Sequence, residues 1–443
     1  MPDNVNTVAL LLALIRSSDQ MTRPELIRQT DLGRAVVNQR IEQAINAGLV
    51  VETDEVVSTG GRPSHVLRIN ADRGLVLAAV FGVSRLHVAI TDLQGRILRD
   101  QLDVWDVNAG PDSSMDHLHC VVTELLEQVD GTLWAAGIGV PGPVDFESGT
   151  LVSPPIMSGW DKFPVRSRLE RLFGVPVWVD NDANLMALGT WRETRLAAGD
   201  NVILVKAGTG IGAGLISRGR LHRGARGAAG DFGHGAFVSG SSVRCRCGKF
   251  GCLEANAGGW ALARDASAAA ALDAGAYLGR MLQDGRQIHV EDVVEGALDG
   301  DSFCAELIHH AGELIGAHLA TLVSFFNPST VFIGGSLVRV GDVFIDAIRS
   351  GVTARSLALA TDDLLIAEVP LNHFEGVIGA AMLALDEIFS AANLGSWWAD
   401  GTPQQLRVHG AALFREVLSP AARAELMSSV TTASGGLALP LRP

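Results

Sequence analysis

Residues 201–217, NVILVKAGTGIGAGLIS, read as two apolar strands, at 201–206 and 213–217, joined by the glycine-rich link Gly208-Thr209-Gly210-Ile211-Gly212. Closely spaced glycines let a backbone approach a ligand and turn N–H groups toward an anion such as phosphate. A tight hairpin between two buried strands explains the same glycines, so this stretch alone leaves both readings open. Just upstream, 179–184 reads VDNDAN: Asp180, Asn181 and Asp182 break off an apolar strand and open a helix. A carboxylate and an amide at a strand's end can hold two vicinal hydroxyls, and an Asp there can take the proton from a hydroxyl nucleophile. An Asx turn capping the helix serves equally well for Asn184 but leaves three polar residues in a row unexplained.

Further out, strand-like and helix-like runs alternate from residue 74 to about 390, the pattern of an α/β domain. Strands are expected at 76–82, 86–92 and 97–104, and a helix at 115–129. A buried strand at 135–140 runs straight into Pro141-Gly142-Pro143. An Ala-rich helical stretch covers 255–300, and a strand at 331–333 ends in Gly334-Gly335.

Between these lies a cluster of metal-binding residue types, His234 followed by Cys245-Arg246-Cys247-Gly248 and Gly251-Cys252-Leu253-Glu254. Three thiolates and one imidazole are a full tetrahedral set for Zn²⁺. With no ligand position left for water, His234, Cys245, Cys247 and Cys252 are expected to hold structural zinc. The other two of the five cysteines, Cys120 and Cys304, stand alone. In a reducing compartment such a cluster points to metal before disulfide. His117 and His119 are two apart on a helix, point away from each other, and read as surface residues.

Residues 1–70 read as three short helices and a two-stranded hairpin, a winged helix-turn-helix layout. The first helix, 4–16, carries Val8, Leu11, Leu12 and Ile15 on one stripe. The second follows Thr22, an N-cap, with Pro24 and Glu25 in its first turn. The third, 33–47, ends at Gly48 and buries Val37, Ile41, Ala44 and Ile45. Its outer face presents Arg34, Asn38, Gln39, Arg40 and Gln43, long polar arms suited to base edges and phosphates. The hairpin is expected from strands at 49–52 and 56–58, with Arg62 at the wing and another strand at 65–69. Seven Arg against eight acidic residues in this segment give no bulk electrostatic support for DNA binding; the support is placement, with Arg23, Arg28, Arg34 and Arg40 on the second and third helices.

A chain of 443 residues holds two to four domains, and 47% apolar with 19% charged residues excludes disorder throughout. A net charge of −14 excludes a surface that is cationic all over, so any nucleic-acid site is local. The longest apolar run near the N-terminus, residues 8–15, is too short and wrongly flanked for a signal peptide or membrane span. A cytoplasmic protein without a membrane partner is therefore expected. Residues 391–443 lack this periodicity and read as an extension with helices at 408–418 and 420–429.

These pieces, in this order, resemble the ROK family (repressor, open reading frame, kinase). The resemblance covers about residues 4–390 and is most specific at Gly230-Asp231-Phe232-Gly233-His234 and the run from Cys245 to Glu254. It implies an α/β fold: an N-terminal winged helix-turn-helix (1–70), then a two-lobed actin-like body of the sugar kinase and Hsp70-like ATPase type. The first lobe would span 74–185, completed by a helix near 375–390. The second, with the zinc knuckle, would span 186–374, and 391–443 would follow as the extension. The resemblance places a sugar against Pro141, Gly142, Asn181, Asp182, Asp231, His234 and Glu254, with Asp182 as the base in a kinase. Two departures stand out. Where family kinases carry Asp-x-Gly-Gly-Thr this chain has Val80-Phe81-Gly82-Val83-Ser84, and Asp231 stands where they usually have Glu. Losing that carboxylate removes a group that organises Mg²⁺ and the transferring phosphoryl. The expectation is a sugar-responsive regulator, a repressor, binding a double-stranded DNA operator as a homodimer or homotetramer and not acting as an enzyme. The alternative is an active ATP-dependent sugar kinase with a regulatory N-terminal arm.

Overall fold

The computed structural model describes residues 2–57, 63–196, 199–235, 237–273, 276–369 and 373–406. Arg62, expected at the wing, and the helices expected at 408–418 and 420–429 lie outside the described residues. Helices α1 (Pro2–Ser17), α2 (Arg23–Gln29) and α3 (Arg34–Asn46) are followed by strands β1 (Val50–Val57) and β2 (Ser64–Ile69). Val8, Leu11, Leu12 and Ile15 of α1 are buried with Leu26, Val37 and Ile41. Each such side chain contributes on the order of 2 kcal/mol. Thr22 caps α2 by accepting from Glu25 N, and Leu67 N donates to Met21 O at 2.7 Å, tying the helices to the hairpin.

The hairpin differs from expectation. Polar 53–55 is not its turn: β1 runs on through these residues with a bulge between Glu52 and Val56, and pairs antiparallel with β2 from Val50↔Ile69 to Val57↔Ser64. A polar run on an exposed edge strand mimics a turn in sequence, because its side chains face water on both sides.

The body contains two five-stranded sheets of the same plan. The first comprises β3 (Leu75–Phe81), β4 (Arg85–Asp92) and β5 (Ile97–Val104). Helix α4 (Pro111–Leu126) leads to β6 (Leu133–Val140), the short pair β7 (Val144–Asp145) and β8 (Thr150–Leu151), α5 (Val165–Phe173) and β9 (Val177–Asn181). Its order is β5-β4-β3-β6-β9, antiparallel through β3 and parallel beyond it. Helix α6 (Asp182–Thr194) then leads to the second sheet, where β10 (Asn201–Ala207), β11 (Ile211–Ser217) and β12 (Arg220–Leu221) precede four helices. The 255–300 stretch is thus not one helix but α7 (Glu254–Ala257), α8 (Gly259–Ala270), α9 (Tyr277–Gln283) and α10 (Val290–Leu298), interrupted at Gly258 and near Gly285, whose φ is +74°. Helix α11 (Ser302–Phe326), β13 (Thr330–Gly334), α12 (Asp342–Thr353), α13 (Ala358–Thr361) and β14 (Leu365–Glu368) complete the order β12-β11-β10-β13-β14. Helix α14 (Glu375–Ile388) returns to the first sheet, and α15 (Ala391–Trp397) follows.

Helix α15 and its Trp397 were not legible from periodicity. Trp397 is buried edge-on to Trp134, with ring centroids 5.6 Å apart, and its indole N–H donates to Ile388 O. Trp397 and Leu394, both buried, anchor this short helix. Among the described residues no single helix is long and apolar enough to cross a membrane.

Candidate functional site

A cleft of about 610 Å³ lies where the C-terminal ends of the parallel strands meet the glycine hairpin, and all seven residues of the expected sugar set line it. The polar run after β9 now has three separate duties. Asp180 is buried, accepting from Asn184 Nδ2 at 2.8 Å and from the Arg223 guanidinium at 2.6 Å. Asn181 caps α6 by accepting from Ala183 N at 2.9 Å, while its Nδ2 donates to Gly142 O at 3.0 Å. That bond fixes the Pro141–Gly142 loop against the strand end. Asp182, the first residue of α6, is buried and ion-paired with Lys206.

The glycine link is both a hairpin and a cleft wall. Gly208 N donates to Gly210 O at 3.0 Å, and β10 pairs with β11 from Ala207↔Ile211. None of its glycines has positive φ. They are needed for room: a Cβ on Gly210 would sit 2.6 Å from Glu254 Oε2, and one on Gly214 would sit 2.6 Å from Ala183 O of α6. Glu254 is buried and already bonded, accepting from Ile211 N at 3.0 Å and from the Trp260 indole N–H at 3.3 Å. The structure therefore ties Glu254 to the hairpin. Asp231 lines the cleft and is exposed.

His234 lines the cleft and also belongs to the cysteine cluster. The ligand atoms of His234, Cys245, Cys247 and Cys252 all lie within 4.8 Å of one another. His234 Nδ1 is 3.6 Å from Cys245 Sγ, and Cys247 Sγ is 3.6 Å from Cys252 Sγ. A tetrahedral ion with metal–sulfur bonds of about 2.3 Å needs edges of about 3.8 Å, close to the two 3.6 Å separations, so this group could hold a metal ion. The loop is shaped by Gly248 (φ +89°) and Gly251 (φ +74°), and Cys245 N donates to Lys249 O. Burial pushes the Cys245 thiol up to about 12, so a cation is what would favour its thiolate. Arg246, between two of the cysteines, lays its guanidinium 4.8 Å from the Trp260 ring centroid, and Arg264 lies 5.3 Å from the same ring.

Val80, Gly82, Val83 and Ser84 also line the cleft. Val80 occupies space beside Gly139, where an added Cβ would lie 3.1 Å from its methyls. Among the residues that sequence reading missed are Lys206 and Glu375, which line the cleft, and Arg223, which holds Asp180 behind it. Lys206 left a signal, a lone cation in an apolar strand. Arg223 left none, being 43 residues from Asp180. Glu375, at the head of α14, lines the cleft with Oε2 lacking a hydrogen-bond partner, and burial pushes its carboxyl above the usual range.

In the N-terminal segment Arg34 and Gln39 are exposed, while Asn38 and Arg40 are half-buried. Arg23 is taken up by Glu42 and Glu52, and Arg28 by Glu25, so the arginines of α2 are neutralised within the fold. His117 is not simply a surface residue: it stacks on Trp105 at 4.2 Å and pairs with Asp103.

The sequence model of the ROK family matches residues 77–387. The chain belongs to the ROK family. Its relatives include the xylose repressor of Caldicellulosiruptor bescii, 28% identical over 392 residues that cover 86% of this chain and 96% of that protein. The N-acetylglucosamine repressor of Escherichia coli O157:H7 is 27% identical over 85% of this chain and 91% of that one. The glucokinase of Halalkalibacterium halodurans is 29% identical over 71% of this chain and 95% of that one. Among solved structures, a ROK family transcriptional regulator described as a homolog of E. coli MLC protein has a TM-score of 0.74 at 24% identity, covering 89% of this chain and 99% of that chain, a likeness of fold. The ROK family glucokinase from Streptomyces griseus with glucose and AMPPNP has a TM-score of 0.62 at 31% identity, covering 70% of this chain and 99% of that one.

Repressors and kinases of the ROK family thus both match this chain. The expectation that it is not an enzyme is overturned by the two glucokinases, which match most of it. Val80 and Val83 are not grounds for excluding phosphoryl transfer.

Proposed function

We propose that this ROK protein is a sugar-responsive regulator, a repressor in the first instance, that binds a double-stranded DNA operator through residues 1–70 and a sugar in the cleft. The observation that carries the reading is the pairing of a cleft lined by Pro141, Gly142, Asn181, Asp182, Asp231, His234 and Glu254 with an N-terminal helix-turn-helix arm whose third helix exposes Arg34 and Gln39. Arg34, Asn38, Gln39 and Arg40 are the proposed base and phosphate contacts, with Arg62 at the wing. The proposed division is the arm, a first lobe at 74–185 completed near 375–390, a second at 186–374, and the extension from 391. The protein acts as a homodimer or homotetramer, because paired half-sites need paired readers. Zn²⁺ held by His234, Cys245, Cys247 and Cys252 orders the loop that carries His234 into the cleft, with no open position for chemistry.

A second reading has its own support: the same cleft transfers phosphoryl to the sugar, with Asp182 taking the hydroxyl proton. Asp182 at the head of α6, the glycine hairpin and the matched glucokinases favour it. DNA titration by fluorescence anisotropy tests the first reading, with fragments from upstream of the protein's own gene, at two salt concentrations, with and without xylose, glucose and N-acetylglucosamine. Affinity that falls steeply with salt, shifts with one sugar and weakens in Arg34→Ala supports it. No specific binding under any condition refutes it. ADP release that depends on a sugar and is abolished by Asp182→Asn establishes the second reading.

A further inference from the structure

Helices α6 and α14 both begin in the cleft, at Asp182 and Glu375, and near its far end each has a side chain bonded to Arg16 of the N-terminal arm. At the far end of α6, Arg192 donates to the carbonyl of Arg16 in α1, and Arg195 pairs with Asp19 at 2.5 Å. At the far end of α14, Asp386 pairs with the Arg16 guanidinium at 2.8 Å, and Phe389 lies beneath the same group at 5.7 Å. Arg16 is the last-turn basic residue of α1, with a side chain only 9% exposed, so one residue of the arm is held by both helices.

Between their ends the two helices cross with backbones touching. A Cβ on Gly379 would fall 1.8 Å from Leu185 O, and one on Gly189 would fall 1.9 Å from Glu375 O. Each helix is also seated on a different sheet. Gly214 of β11 accepts α6, where a Cβ would meet Ala183 O at 2.6 Å, and Gly137 of β6 accepts α14, where one would meet Ala380 O at 1.9 Å. Close-packed contacts of this kind transmit displacement because they have no slack. Any change in the angle between the sheets must therefore turn the helices about the Gly189–Gly379 crossing. In α14 the crossing is about 6 Å from the cleft end and about 10 Å from Asp386, at 1.5 Å per residue.

We infer that α6 and α14 act as a pair of scissor arms, and that the Arg16 joint, held by Arg192 and Asp386, passes cleft occupancy to the DNA-binding arm. This deepens the regulator reading and rests on it for the ligand alone. A ligand that draws the two sheets together at the cleft shifts the far ends relative to each other, and α1 cannot keep both bonds at their present geometry. The response is a population shift between two positions of the arm.

The test uses the full-length protein and two conservative variants outside cleft and DNA-reading face, Asp386→Asn and Arg192→Lys. Hydrogen exchange of α1 amides is measured with and without saturating sugar from the three-sugar panel, alongside sugar affinity and sugar-dependent DNA affinity. The expected result is that sugar affinity stays within about twofold, the sugar-induced change in α1 exchange falls at least fivefold, and sugar-dependent DNA release falls in parallel. Unchanged α1 response in both variants overturns the inference. If α1 exchange responds to sugar in the parent while DNA affinity does not, the joint stands and the regulator reading fails. If neither responds, both fail.

Discussion

Replacing Lys206 with Met would remove the cation that faces Asp182 while keeping most of the side-chain volume. The Asp182 side chain is 6% exposed and that of Lys206 25%, so the carboxylate, more than the ammonium, depends on its partner. Breaking a buried pair by removing one member costs about 3–5 kcal/mol, because the other charge is left uncompensated. Access from the cleft to Lys206 places this pair at the lower end, about 3 kcal/mol. Asp182→Asn leaves an ammonium that can reach water and costs about 1 kcal/mol. The double variant removes both charges and should also cost about 1 kcal/mol, giving a coupling energy of about −3 kcal/mol in a double-mutant cycle. Denaturant unfolding followed by tryptophan emission measures all four proteins, and the reading depends on differences at matched denaturant slope. Additive effects, or a Lys206→Met penalty below about 1 kcal/mol, would show that Asp182 does not need Lys206 in the ligand-free protein.

Three further outcomes follow from other parts of the molecule. Cys247→Ser should lower bound metal, measured by atomic absorption, and weaken sugar affinity, since the loop that brings His234 to the cleft loses one of four ligands; loss of metal with unchanged sugar affinity contradicts the link. Gly379→Ala should destabilise the fold by about 3 kcal/mol or more through the clash with Leu185 O, whereas Gly199→Ala, with nothing within 4 Å, should be close to neutral, and thermal unfolding separates them. Glu375 sets a pH dependence. Burial raises its carboxyl in the fold, so the folded state holds a proton that the unfolded chain has lost above about pH 4.3. Stability due to this group is therefore highest below that pH and declines as pH rises through the raised folded value. Glu375→Gln should remove that decline, and Tm values that fall equally in both proteins between pH 4.5 and 8 would contradict it.

What could be read from the sequence was what short-range pattern encodes. The cysteine cluster declared itself because one histidine and three cysteines fall within nineteen residues, and the strand ends at Val140 and Asn181 because polar or proline residues cut off apolar runs. Lys206 was legible in principle, as the one charge in its strand. Other features depend on distance along the chain. The Gly189–Gly379 crossing joins residues far apart in sequence, and nothing local separates a glycine kept for space from one kept for its φ. The turn expected at 53–55 was misplaced because Thr53, Asp54 and Glu55 are polar for exposure and not for turning: Thr53 Oγ1 donates to Val66 O, and His65 Nδ1 lies 2.8 Å from Thr53 O across the strand pair. The arginines of α2 looked like DNA contacts until Glu25, Glu42 and Glu52 were found against them.

The Trp260 indole is packed beside the cysteine loop, lies near two guanidinium groups and donates its N–H to Glu254. Indole emission responds to nearby charge, to hydrogen bonding and to sulfur; here Arg246 and Cys247 belong to the loop, while Glu254 belongs to the hairpin side. The protein thus contains its own optical gauge: the colour and brightness of one ring register the state of the loop on one side and of the carboxylate bracing the glycine hairpin on the other. Because Trp260 touches the loop through Arg246 and the hairpin through Glu254, the part of the emission that Trp260→Phe removes from among the eight tryptophans reports both chelation and sugar addition.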